Sequence, residues 1–135
     1  MVITSRPLFT LQLDTPGPRD LGFTQLGTRV IFPITGGAFE GERLRGKVLP
    51  GGADWTLRRP DGGLELDLRV TLETDDGALI HFTFSGLRDD SRGYFHTLPR
   101  FETAAPNYAY LNRVIAVGTG VIRAGNPVHE IDEIL

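Results

Sequence analysis

The 135-residue chain has no cysteine. That excludes a disulfide framework, a thiolate nucleophile and a zinc–thiolate site. No run approaches the ~20 apolar residues that a membrane-spanning helix needs. The opening MVITSRPLFTLQLD also lacks the basic start and long apolar stretch of a signal peptide. Excess charge is missing too: 14 Lys and Arg stand against 17 Asp and Glu, interspersed, for a net charge of −3. Such a surface offers no basic groove for nucleic acid and no basic face for a membrane. Gly36-Gly37, Gly51-Gly52 and Gly62-Gly63 do not precede helices as a phosphate-binding loop would, and Ser5, Ser85 and Ser91 have no nucleophile elbow around them. His81, His96 and His129 show no metal-ligand spacing. The expectation is a cytoplasmic protein with neither cofactor nor metal.

Glycine and proline are plentiful, 17 and 9, and spread through the chain, which suits many short strands and turns. Apolar alternation predicts strands at Leu8–Leu13, Thr28–Ile34, Ala38–Leu49, Tyr94–Glu102, Val114–Ile122 and Val128–Leu135. Thr15–Asp20 reads as a loop because two prolines forbid ladder bonds, and Pro106–Arg113 can form a short helix. Between these lies a meander, Ala53–Leu87, of three antiparallel strands. Without helices to cover it, so large a sheet must curl into a barrel or fold into two packed sheets to bury its apolar face, and the run of consecutive hairpins favours the barrel. The expected fold is therefore all-β: one domain over residues 1–135, an antiparallel barrel of about eight to ten strands with at most one short helix.

The turns set the meander's register. Asp61-Gly62 suits a two-residue hairpin loop, which would pair Leu57 with Leu66 and Trp55 with Leu68. At Asp75-Asp76-Gly77 a two-residue loop would scramble both faces. A three-residue loop with Gly77 left-handed pairs Thr74 with Ala78, Val70 with Phe82 and Leu68 with Phe84. One face then carries Trp55, Leu57, Leu64, Leu66, Leu68, Val70, Leu72, Ile80, Phe82 and Phe84. The other brings Asp54, Arg69 and Thr83 into one row, with His81 opposite Thr71 and one diagonal step from Arg69.

GGADW, RRPDGGLELDLRVTLETDDGALI, YFHTLPRFET and YAYLNRVIAVGTG, with the upstream ITGGAFEGERLRGKVLP, resemble domain-of-unknown-function family 3237, an uncharacterised family of bacteria and fungi. The resemblance covers nearly the whole chain and implies a small β-barrel. Asp54-Trp55, Arg69, Asp76-Gly77 and the Tyr108, Leu111, Asn112 segment match the family's pattern.

Asp54 and Arg69 admit two readings. As a surface ion pair they contribute under ~1 kcal/mol. Inside a barrel, Arg69 would hold an anionic or enol oxygen while Asp54 orients it or moves a proton, with His81 as a base titrating near neutrality. Trp55, Tyr94, Tyr108 and Asn112 are the candidate ligand-binding residues, the tyrosines as a lid over one barrel mouth; aromatic packing is the plainer alternative. The expected function is binding of a small organic molecule, with a cofactor-free isomerisation, cyclisation or elimination as the chemistry. The alternative is a non-catalytic assembly protein with a solid interior. A homodimer or higher homo-oligomer is expected in either case.

Overall fold

Alternating residues of β7 (Leu64–Thr74) and β8 (Leu79–Asp89) form the spine of the molecule in the computed structural model, which describes Met1–Leu135. They pair along their whole length with Leu68 against Phe84, Val70 against Phe82 and Leu72 against Ile80. These side chains are 0–3 % exposed, so the apolar face of this pair points into the barrel. The turn between the strands is the expected three-residue loop: the Thr74 N–H donates to the Ala78 carbonyl at 2.9 Å, and Gly77 has φ +90°.

The remaining strands are β1 (Ser5–Asp14), β2 (Arg19–Thr24), β3 (Gly27–Ile34), β4 (Gly36–Glu40), β5 (Arg45–Val48), β6 (Gly52–Arg58), β9 (Tyr94–Glu102), β10 (Ala116–Arg123) and β11 (Asn126–Ile134). Eight of the eleven strands close a ring, β7-β8-β9-β10-β11-β1-β4-β5 and back to β7, entirely antiparallel. Closure removes the sheet edges that a meander would otherwise expose. Strands β6, β3 and β2 branch from the first half of β7 and extend the wall at one end, leaving β2 as an edge.

Two expected elements differ. Thr15–Asp20 is a loop only as far as Pro18, after which β2 begins and pairs with β3, as its prolines precede the ladder. Ala38–Leu49 is two strands, because the chain bends at Gly41–Leu44 and β4 folds back on β5. There is no room for a side chain at that bend, since a Cβ on Gly41 would sit 1.9 Å from the Leu8 carbonyl oxygen.

The two halves of the barrel are filled differently. At the end where β7 finishes, Phe9, Phe39, Phe82 and Phe101 pack ring against ring with centroids 5.3–6.0 Å apart. A short 3₁₀ helix, Pro106–Arg113, closes this end with Leu111, which is 1 % exposed. Arg6 and Arg43 both bind Glu133 there, drawing β1, the Gly41–Leu44 bend and β11 together. No helix of the fold is long and apolar enough to cross a membrane. The other end, where β7 begins, is hollow.

Candidate functional site

The hollow end is a cavity of about 330 Å³. Its walls are mostly apolar: Val30, Phe32 and Ile34 of β3, Leu64, Leu66 and Leu68 of β7, and Ile122 and Pro127 of the β10–β11 hairpin. Against this background β6 projects three polar side chains inward, Asp54, Thr56 and Arg58. A strand alternates its faces with period two, so these three share one side.

Their direction follows from the loop before β7. The Arg59 N–H donates to the Gly63 carbonyl at 2.8 Å and the Gly62 N–H to the Arg59 carbonyl at 3.0 Å, with Gly62 at φ +91°. This is a three-residue loop, Pro60-Asp61-Gly62, of the same kind as the one at Gly77. The expected two-residue loop is corrected accordingly. Asp54 pairs with Leu68, Leu57 with Glu65 and Arg58 with Leu64, one residue away from the expected register. A slip of one residue exchanges the faces of the strand. Asp54 therefore enters the lumen and Trp55, expected inside, lies outside at 36 % exposure.

Asp54 is held by two donors. Its Oδ1 accepts the backbone N–H of Asp67 at 3.0 Å and the Thr56 hydroxyl at 3.2 Å. The first bond occupies a gap in the β6–β7 ladder, so the carboxylate takes an N–H from the neighbouring strand's backbone. Burial among apolar walls removes water from the carboxylate and raises its pKa from 3.8 to about 6, although both hydrogen bonds favour the charged form. A carboxylate so placed can accept and return a proton near neutral pH.

His129 of β11 forms part of the far wall, 1 % exposed, with ring centroids 5.0 Å from Phe84 and 5.2 Å from Phe95. Loss of hydration pushes its pKa down to about 4, so it is neutral at physiological pH, and its Nδ1 has no hydrogen-bond partner. Phe95 has room beside it because residue 120 is glycine; a Cβ there would come 2.6 Å from the ring. At the mouth, Arg88 binds Asp90 through two nitrogens at 2.7 and 3.2 Å and lies over Phe95, 5.2 Å from its centroid. Arg58, in the same inward row through Leu64, makes no ion pair.

The expected constellation of Asp54, Arg69 and His81 is divided by the sheet. Arg69 pairs with Ala53 and Thr83, and His81 with Thr71 and Glu102, all on the outer face. Arg69 approaches Asp67 at 3.8 Å in solvent, and His81 is exposed. Of the proposed ligand residues, Trp55 shares a shallow outer cleft with Arg69 and His81, and the other three lie apart from it. Tyr94 is 37 % exposed, edge-on to His96 at 4.6 Å and under the Arg92 guanidinium at 4.5 Å. Tyr108 and Asn112 belong to the 3₁₀ helix at the packed end. The Tyr108 hydroxyl donates to Asp76 at 2.9 Å, while the Asn112 amide exchanges two 2.9 Å bonds with the Thr103 backbone. That helix closes the end opposite the cavity. Of the seven residues, Asp54 alone lines the lumen.

Thr56 and Arg58 share the face of Asp54 by strand alternation in the sequence itself, while nothing in the sequence marks them, Arg88, Asp90 or His129 as site residues. The two partners at the mouth and His129 meet Asp54 only through barrel closure.

The model of the family described as protein of unknown function (DUF3237) matches residues 3–133. A UPF0311 protein of Rhodopseudomonas palustris is 33% identical over 98% of this chain and 97% of its own length. The crystal structure of a beta-barrel like protein from Acinetobacter baumannii superposes with a TM-score of 0.92 at 33% identity, covering 100% of this chain and 98% of that one. A hydroalkoxylation enzyme, phnH, of Penicillium herquei is 33% identical over 67% of this chain and 56% of its own. The chain belongs to the DUF3237 family.

Proposed function

We propose that this member of the family binds a small, mainly apolar molecule in the barrel lumen and that Asp54 moves a proton on it. The observation that carries the proposal is an acidic side chain with a pKa of about 6 set among the leucines and β3 apolar residues of a cavity of about 330 Å³. Such a group is expensive to bury, and perturbed carboxylates in clefts are concentrated at functional sites. The cavity volume falls at the low end of ligand pockets, ~300–1,000 Å³. An assembly protein with a solid interior would have no such space.

The chemistry supported is a redox-neutral proton shift: isomerisation, cyclisation or elimination. In a cyclisation, the Asp54 carboxylate removes the proton of a substrate hydroxyl. The oxygen then forms a C–O bond to one carbon of a conjugated C=C as the π bond breaks, and the electron pair passes to the carbonyl oxygen as an enolate. Protonated Asp54 returns the proton to the other carbon, so atoms and charge balance. The Thr56 hydroxyl, which donates to the Asp54 carboxylate at 3.2 Å, is released when Asp54 takes up the proton and is then placed to donate to the enolate oxygen. Hydroalkoxylation, for which the Penicillium herquei relative is named, is the addition of O–H across C=C and belongs to this class.

The test uses 2′-hydroxychalcone, whose phenol adds to its own enone. Wild-type protein should accelerate ring closure, and Asp54→Asn, folded by circular dichroism, should lose ~100-fold or more of that acceleration. Acceleration that survives the substitution would remove Asp54 from the mechanism. No acceleration by the wild type would remove phenolic enone cyclisation from the proposed class.

A further inference from the structure

The cations around the lumen are unequally committed. Arg88 is held by Asp90 in a two-nitrogen pair, and Arg59, next in the chain to Arg58, is held by Asp61 at 2.8 and 3.0 Å. Arg58 has neither a carboxylate partner nor a hydrogen bond to another side chain, yet it lies on the inward face of β6 and lines the cavity together with Leu64, Ile122 and Pro127. An arginine carries five N–H donors in a planar fork shaped for a carboxylate or a similarly delocalised oxyanion. Arg58 is exposed at the mouth, so its fork faces solvent on one side and the apolar residues Leu64, Ile122 and Pro127 of the lumen on the other.

Spacing adds a second constraint. Asp54 and Arg58 are four residues apart on one strand face, so their backbones are separated by about 13 Å. Thr56 lies between them, and the intervening wall is Leu64, Leu66 and Leu68. A molecule that touches both ends must be elongated, and its middle must be apolar.

We propose that Arg58 anchors an anionic group at the mouth of the lumen, so that the ligand is an elongated, mainly apolar organic acid whose uncharged end lies against Asp54. The anchoring oxygen belongs to a carboxylate or to an enol or phenol of comparable acidity. The inference rests on the lumen being a ligand site and names the class of molecule it accepts. Arg58 sets which molecules enter and how they are turned, while Asp54 acts on the end that Arg58 has placed.

The experiment measures binding of two probes of equal chain length, hexanoate and hexan-1-ol, to the full chain at neutral pH by calorimetry. Hexanoate should bind about tenfold more tightly than the alcohol, in keeping with a charge-assisted pair. Arg58→Gln should bring the two to parity, Arg58→Lys should retain part of the preference, and Arg100→Gln on the outer face should leave it intact. Equal binding of both probes by the wild type, no binding of either, or a preference that persists in Arg58→Gln would each overturn the anchor. None of these readings depends on turnover. A missing preference beside Asp54-dependent activity defeats the anchor alone, and a preference without such activity defeats the proton transfer alone.

Discussion

Asp54 and His129 share one cavity and respond to burial in opposite senses. Asp54 is raised from 3.8 to about 6, so the folded state holds its proton more tightly than the unfolded chain does. Its contribution to stability is complete below pH 3.8 and is lost as pH rises through about 6. His129 is depressed from 6.5 to about 4, so its contribution is complete above pH 6.5 and is lost as pH falls through about 4. The windows overlap and the slopes oppose, so between pH 4 and 6 the two largely cancel. Each single substitution should expose the other group. Asp54→Asn should make the protein gain stability from pH 4 to 6.5. At pH 8 it should exceed wild type by about 3 kcal/mol, because a pKa raised from 3.8 to about 6 is a little over two tenfold changes in proton affinity, each worth ~1.4 kcal/mol. His129→Gln should lose stability over the same range. Urea unfolding at pH 4, 5, 6 and 8 decides the matter, and parallel pH profiles for all three proteins would contradict it. A gain in stability from removing Asp54 is the mark of a side chain kept for work other than folding.

At the scale of elements, the direction of β6 depends on one loop residue. Pro60-Asp61-Gly62 needs Gly62 at φ +91°, and nothing lies within 4 Å of where a Cβ would go, so only backbone strain opposes a side chain. Gly62→Ala should cost about 1–2 kcal/mol, as for any L-residue forced left-handed. Gly77→Ala, at φ +90° and equally unobstructed, should cost the same. Gly17→Ala, also with open space but without a left-handed φ, is the control and should fall within ~0.5 kcal/mol of wild type. Equal stability of all three variants in urea would refute the loop assignment.

The two loops also explain how far the sequence could be read. At Gly77 the wrong loop length would have scrambled both faces of a long strand pair, so the letters sufficed. At Gly62 either length left an orderly pattern, and the shorter one put Leu57 and Trp55 inside. Apolar-inward patterning is a rule about cores, and β6 faces a cavity, where it carries Asp54, Thr56 and Arg58 instead. Register inference therefore failed at the one strand whose inner face is polar, which is where a functional strand departs from the packing pattern. Arg69, His81 and Thr83 do form an adjoining polar group, as the register of β7 and β8 required, but on the solvent side.

At the scale of the molecule, the closed barrel was legible because apolar alternation, turn spacing and the absence of helices all point to it. Its division into a packed and a hollow half was not, since cavity volume depends on how side chains from strands distant in sequence meet. The division is testable by adding volume at each end. Ile80 and Leu66 both belong to the core cluster that holds the phenylalanines, but Ile80 is 0 % exposed and away from the cavity, whereas Leu66 is 7 % exposed and borders its space of about 330 Å³. Enlarging a side chain in a filled core displaces neighbours at a cost of about 1–3 kcal/mol. Ile80→Phe should show that loss in urea unfolding. Leu66→Phe can extend into empty space and gain contacts, so its stability should remain within ~1 kcal/mol of wild type. The same added volume should weaken hexanoate binding at the lumen while leaving the fold unchanged. Comparable destabilisation by both substitutions would mean that the β6 end is filled, and the lumen could then hold no ligand.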